Sequence, residues 1–197
     1  MQLQHIQAVV FDLDGTLVDS KLDFTAMCAD IGWPAGTPIL EQLALVQDPV
    51  EVHRIEQIIR QHEMAGAHNA LWMPGAERCL RLLQQSGMPL ALLTRNMREA
   101  TELTLHRLQI PITRILTRED CAAKPDPEGL LRFAAEFQLP LHQMLYVGDY
   151  IFDLQTAANA GAVSCLYLNA ANQHFVAEAD WVFSHFDDLV SALIRYR

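Results

Sequence analysis

Ile6-Gln7-Ala8-Val9-Val10-Phe11-Asp12-Leu13-Asp14-Gly15-Thr16-Leu17-Val18-Asp19-Ser20 is the stretch whose reading decides the fold. Residues 6–11 are largely apolar and partly β-branched, and the run stops at two aspartates, a glycine and a threonine. A short apolar run that ends abruptly in polar turn residues reads as a buried strand entering a loop. The loop at its end is where chemistry can sit.

Outward from this strand, a regular alternation begins after residue 73. Ala76, Cys79, Leu80 and Leu83 recur at helical spacing, Gly87 ends that helix, and residues 89–93 read as a strand. Helices are then expected over 97–108, 127–137, 154–160 and 189–195, and strands over 112–116, 144–147, 165–168 and 181–183. Such alternation predicts an α/β fold with a doubly wound, mostly parallel, Rossmann-like sheet and helices on both faces. Residues 21–72 differ. They show no strand, their helical spacing runs through Val52, Ile55, Ile59 and His62, and Gly32, Pro34, Gly36 and Pro38 divide them into a helix, a loop and two further helices. The expected organisation is an α/β core of residues 1–20 and 73–197, with a small α-helical cap of residues 21–72 inserted after the first strand.

The chain's 197 residues suit one domain with a modest insertion, and 51% hydrophobic against 19% charged residues is a globular composition. A formal charge of −10 argues against a nucleic-acid backbone as the main ligand. A small phosphorylated metabolite remains possible for so acidic a chain, provided that a few local cations or a metal receive it. Cys28, Cys79, Cys121 and Cys165 are scattered and read as reduced thiols, not a zinc site. The first five residues lack a secretion-signal layout, and no apolar run reaches membrane-spanning length. A cytoplasmic monomer or homodimer without nucleic-acid or membrane partners is expected.

In an open parallel sheet, ligands bind at the carboxyl ends of the strands. The first strand ends at Asp12 and Asp14, the second at Thr94-Arg95-Asn96, and the fourth at Gly148-Asp149 followed by Asp153; Lys124 lies in the loop after the third. Carboxylates converging in one crevice repel each other unless a cation sits among them, and hard oxygen donors suit Mg²⁺. With Mg²⁺, Lys124 and Thr94 neutralising and holding a phosphoryl group, one carboxylate can act as nucleophile and another can move the proton.

In chain order, Asp12-Leu13-Asp14-Gly15-Thr16-Leu17-Val18-Asp19-Ser20, Thr94, Lys124-Pro125-Asp126-Pro127 and Gly148-Asp149 with Asp153 resemble the four motifs of the haloacid dehalogenase superfamily, over nearly the whole chain. The resemblance implies a Mg²⁺-dependent phosphatase that hydrolyses small phosphate monoesters through an aspartyl-phosphate on Asp12. By it, Asp12 is nucleophile and metal ligand, and Asp14 is the general acid/base whose backbone carbonyl also binds Mg²⁺. Asp149 is the remaining carboxylate ligand, and Asp153 is a ligand or supports the metal's waters. Thr94 hydrogen-bonds the phosphoryl group, while Lys124 neutralises it and orients the nucleophile. The insertion resembles the cap of the phosphoglycolate-phosphatase-like branch, which closes over the site and selects the substrate. Two departures stand out. Arg95 replaces the small or amide residue usual after the motif threonine, and is placed to bind phosphate with Thr94 and Lys124 or to pair with a carboxylate. The cap is short, which predicts a more open pocket. A phosphomutase sharing Asp12 and Asp14 is the alternative function, ahead of a non-catalytic phosphate- or metal-binding module; Asp14 argues against a dehalogenase.

Overall fold

The computed structural model describes residues 3–194. Strand β1 (Ala8–Phe11) is followed by β2 (Val18–Asp19), the helices α1 (Phe24–Ile31), α2 (Ile39–Leu43) and α3 (Pro49–Asn69), and β3 (Leu71–Trp72). The chain continues through α4 (Ala76–Gln85), β4 (Leu90–Leu93), α5 (Arg98–Leu108), β5 (Arg114–Leu116), α6 (Glu128–Phe137), β6 (Met144–Gly148), α7 (Ile151–Ala160), β7 (Val163–Tyr167), β8 (Trp181–Phe183) and α8 (Phe186–Leu193).

Six strands form one parallel sheet in the order β5-β4-β1-β6-β7-β8. Counted along the chain these strands lie 3-2-1-4-5-6, so the winding reverses at β1. Successive side chains of a strand point to opposite faces, and the core divides accordingly. On one face Val9, Phe11, Leu92 and Val147 pack with Leu80 of α4 and Leu189 of α8. On the other, Val10, Ala91, Leu93 and Tyr146 pack with Phe133 of α6 and Ala157 of α7. Each fully buried leucine such as Leu80 contributes about 1.5–3 kcal/mol relative to exposure.

Helices α1 to α3 have a core of their own, built from Met27, Cys28, Ile31, Ile39, Ile55 and Ile59. Asp23 caps α1 by accepting the Ala26 N–H at 2.9 Å, and Asp48 caps α3 by accepting the Val50 N–H at 3.0 Å, with Pro49 in the first turn. The two crossings between this layer and the sheet pair with each other: β2 and β3 form an antiparallel ribbon, Val18 opposite Trp72 and Asp19 opposite Leu71. The expected absence of strand over 21–72 is therefore corrected at Leu71–Trp72; two residues are too few for an alternation to declare itself.

Helix α3 also docks on α5. Ala67, Met97 and Ala100 form a cluster flanked by Met64 and Leu103. Around it, Arg60 pairs with Glu99 at 2.6 Å and Arg107 donates to the Ala67 carbonyl at 2.7 Å. Glu63, 6% exposed, accepts the Met97 N–H at 2.9 Å and Arg118 Nη1 at 2.5 Å. Burial pushes the Glu63 carboxyl above its ordinary range, against the pull of Arg118.

Two helix starts are earlier than the spacing predicts. Helix α7 begins at Ile151 because the Asp153 side chain accepts the Tyr150 N–H at 3.1 Å, and α8 begins at Phe186 with Asp187 and Asp188 in its first turn, where acids are favoured. The expected end of the last helix, Arg195, lies outside the described residues. Among the described residues, no helix is long and apolar enough to cross a membrane.

Candidate active site

β1, β4 and β6 are adjacent and parallel, so the residues after them emerge side by side at one edge of the sheet. Asp12 continues the ladder by donating its N–H to the Val147 carbonyl at 2.8 Å, and Thr94 does so to the Leu116 carbonyl at 3.0 Å. Beyond Asp12 the chain turns tightly, with Leu17 N–H to Leu13 carbonyl at 2.9 Å and Gly15 N–H to Val18 carbonyl at 2.8 Å. Gly15 has φ +80°, and a Cβ there would lie 2.4 Å from Asp149 Oδ2; at Gly148 a Cβ would lie 2.2 Å from Asp153 Cγ. The two glycines let carboxylates rest directly on backbone.

Lys124 is buried and reaches this edge from the loop after β5. Its Nζ donates to Asp12 Oδ1 at 2.5 Å and to Asp153 Oδ1 at 2.7 Å. Burial alone would lower the lysine's pKa, but the charges of Asp12 and Asp153 outweigh it and hold the ammonium above its usual range. Asp12, Asp149 and Asp153 each bring a carboxylate oxygen into a group whose members all lie within 4.8 Å of one another. Burial drives the Asp12 carboxyl well above its ordinary value, with Asp153 and Asp149 adding repulsion that Lys124 only partly offsets. Burial and the Asp153 charge push Asp149 up to about 7. Two buried carboxylates and the half-buried Asp149 against one ammonium form an all-oxygen, under-neutralised donor set, which fits a hard divalent cation such as Mg²⁺.

Asp14 lies beside this cluster with its own partners. Asn96 Nδ2 donates to Asp14 Oδ2, and burial, opposed by hydrogen bonds from Ser20 and Asn96, pushes the carboxyl up to about 6. The Thr94 side chain is buried, and its Oγ1 accepts the Asn96 N–H at 3.1 Å, which leaves the hydroxyl proton to be donated elsewhere. Asp12, Asp14, Thr94, Arg95, Lys124, Asp149 and Asp153 all line one cavity of about 540 Å³, closed on its far side by α1, α2 and α3. Arg95 is turned toward that far side, where its Nη2 donates to Glu41 Oε1 at 2.6 Å.

Three supporting residues escape a reading of the sequence. The Tyr146 hydroxyl lies 3.0 Å from Asp153 Oδ1 and 3.1 Å from the Leu93 carbonyl, so it props Asp153 from beneath. Its one sequence signal is a polar-tipped ring within an otherwise apolar strand. Asn172 donates to the Asp149 carbonyl at 2.8 Å and to the Tyr167 carbonyl at 2.9 Å, fixing the loop after β6. Glu63, on α3, also lines the cavity, and nothing in its helical spacing distinguishes it from a surface acid.

A doubly wound sheet that gathers carboxylates, a lysine and a threonine at its switch point has an acidic site, able to hold a metal ion, where such sheets bind their ligands. Residues 6–161 match the family model of the haloacid dehalogenase-like hydrolases. The chain is 32% identical over 187 residues to an uncharacterized hydrolase of Saccharomyces cerevisiae, covering 89% of this chain and 84% of that protein. It is 30% identical over 193 residues to the phosphoglycolate phosphatase of Pseudomonas savastanoi pv. phaseolicola, covering 84% and 70% respectively. In fold it is similar to the crystal structure of a haloacid dehalogenase-like hydrolase from Bacteroides fragilis, with a TM-score of 0.77 at 22% identity over 93% of this chain and 99% of that one. The chain belongs to the haloacid dehalogenase-like hydrolases.

Proposed function

We propose that this hydrolase is a Mg²⁺-dependent phosphatase of small phosphate monoesters, with Asp12 as the nucleophile. The observation that carries the reading is the position of Asp12, held at 2.5 Å by Lys124 Nζ in one cavity with a second carboxyl group, Asp14, whose burial pushes its pKa up to about 6. A group with that pKa can both give and take a proton near neutral pH. An Asp12 oxygen attacks phosphorus, the ester P–O bond breaks, and the Asp14 proton passes to the leaving oxygen. Water, deprotonated by Asp14, then attacks the phosphorus of the aspartyl-phosphate, and the P–O bond to Asp12 breaks to release inorganic phosphate.

Lys124 and the Thr94 hydroxyl hold the phosphoryl oxygens, and Arg95 adds positive potential at the rim. Asp12, Asp149 and the Asp14 backbone carbonyl would hold Mg²⁺, with Asp153 as a further ligand or as support for its waters. The ion would supply the charge neutralisation that one lysine cannot. Resemblance to a relative named for phosphoglycolate supports a small phosphorylated metabolite as substrate, and the layer of α1 to α3 is the part placed to select it.

The test is phosphate release from a panel of phosphate esters with and without Mg²⁺, with Asp12→Asn as control. Mg²⁺-dependent release that Asp12→Asn abolishes, with its fold retained, is the expected result. Isomerised ester without free phosphate would instead establish a phosphomutase.

A further inference from the structure

The guanidinium of Arg95 is held from three directions. Its Nη1 donates to the Lys124 carbonyl at 3.0 Å, its Cζ sits 4.6 Å from the centroid of the Phe152 ring, and its Nη2 donates to Glu41 Oε1 at 2.6 Å. The first two partners belong to loops and helices around the sheet, whereas Glu41 comes from α2, a five-residue helix that follows Gly36, Thr37 and Pro38. The Arg95 side chain is 20% exposed and that of Glu41 45%. The arginine is thus fixed by a carbonyl and an aromatic floor, while its carboxylate partner is half in solvent. Both line the cavity that contains Asp12.

Arg95 also stands away from the point of phosphoryl transfer. It grips Lys124 by its backbone carbonyl, whereas Asp12 is held at the other end of the same residue, by Nζ. On the insertion side the same cavity is lined by the apolar Met27, Ile39 and Ile59 and by Lys21, Glu41 and Glu63, of which Lys21 pairs with Asp19 at 2.7 Å and Glu41 with Arg95.

We propose that Arg95 is a specificity-determining residue that receives a carboxylate carried by the substrate's leaving group, and that Glu41 is an internal carboxylate holding this place until the substrate displaces it. The proposal rests on the phosphatase reading and adds the class of substrate: phosphate monoesters of hydroxy acids. Glu41 itself shows that a carboxylate fits the exposed edge of the guanidinium. Exchange of one carboxylate for another keeps the local charge unchanged, and the departing Glu41 gains solvent. A pre-fixed arginine loses little freedom on binding, so the gain from its charge-assisted hydrogen bond goes to the ligand that makes it.

The experiment compares 3-phosphoglycerate with glycerol 3-phosphate, which differ by a carboxylate in place of a hydroxymethyl group. Wild-type kcat/KM should favour the acid by about tenfold, through KM more than kcat. Arg95→Met should bring the ratio close to one. Glu41→Gln, which removes the competing charge, should lower KM for 3-phosphoglycerate several-fold and leave that for glycerol 3-phosphate unmoved. Equal kcat/KM for the two esters in the wild type would overturn the proposal, and so would a raised KM for the acid in Glu41→Gln. Calorimetric titration of the Asp12→Asn protein with both esters reads the same preference without turnover. Absent hydrolysis would therefore count against the phosphatase reading, while the ratio of affinities still decides the role of Arg95.

Discussion

Replacing Glu63 by alanine and by glutamine separates what its charge contributes from what its oxygens contribute. Alanine removes the acceptor of the Met97 N–H, leaving a buried donor unpaired at about 1–3 kcal/mol, and strips Arg118 of its carboxylate. Loss of one partner from a fully buried pair costs about 3–5 kcal/mol, but Arg118 is 19% exposed and still donates to the Arg95 carbonyl at 2.8 Å, so its share is smaller. We expect Glu63→Ala to cost about 3 kcal/mol in all, which at roughly 2–4 °C per kcal/mol for a chain of this size lowers Tm by about 6–12 °C. Glutamine keeps one acceptor oxygen, so it can satisfy the Met97 N–H or Arg118 but turns an NH₂ group toward the other donor. The folded protein raises the Glu63 pKa, so the stability this group contributes is full below the ordinary carboxyl range and declines as pH rises through the folded value. At pH 7 the wild type carries that burden of ionisation and Glu63→Gln does not, which offsets part of the lost acceptor, so the glutamine variant should cost about 1 kcal/mol, well short of the alanine variant. Urea unfolding at pH 7, followed by circular dichroism, measures both. A glutamine variant as unstable as the alanine one would show the buried charge to be net stabilising and refute the reasoning.

Lys124→Ala should lower kcat by roughly a thousandfold or more, because the phosphoryl charge and the carboxylates then lose the buried ammonium that pairs with Asp12 and Asp153; steady-state phosphate release above a tenth of the wild-type rate would remove Lys124 from the reaction. Gly148→Ala must push Asp153 aside, since its Cβ would sit 2.2 Å from Asp153 Cγ, and is expected to cost about 1–3 kcal/mol along with most of the activity; an unchanged kcat and urea midpoint would show that the carboxylate can give way. Asp120 is held down to about 2: burial opposes this, but hydrogen bonds from Arg98 and Thr117 outweigh it. Its folded pKa lies below the unfolded one, so its contribution is present above the ordinary carboxyl range and vanishes as pH falls toward 2. Discounted for partial exposure, Asp120→Asn should cost about 1 kcal/mol at pH 7 and nothing near pH 2, and an equal loss at both pH values would contradict the assignment.

The sheet was legible because its central strands are short, almost wholly apolar and bounded by turn residues, as in residues 6–11 and 144–147. The convergence of Asp12, Thr94 and Asp149 was legible for a related reason, since each stands immediately after a strand and parallel strands share their carboxyl edge. Pairings set by the third dimension were not. Glu63 and Arg118 lie 55 positions apart, and each alone looks like a solvated charge; only the docking of α3 on the sheet layer brings the buried glutamate to the half-buried arginine after β5. Tyr146 likewise reads as one more apolar residue of β6, because periodicity gives the face of a strand to which a side chain points but not the carboxylate that waits there. Arg95 announced itself as a departure from pattern, but its partner Glu41 lies on a helix too short for spacing to orient it.

The ribbon of β2 and β3 carries a different lesson. Val18 stands opposite Trp72 and Asp19 opposite Leu71, in antiparallel register, so the chain leaves the sheet layer and returns to it at points one strand spacing apart. That geometry is a β-hairpin whose turn has been expanded into three helices. A two-residue Asn-Gly link from Asp19 to Leu71 would restore the turn. The sheet layer is thus a chassis with a ready socket: lids of other lengths and shapes can be grafted there without re-registering a single strand of the host, provided that each brings its own cover for the apolar face of α5.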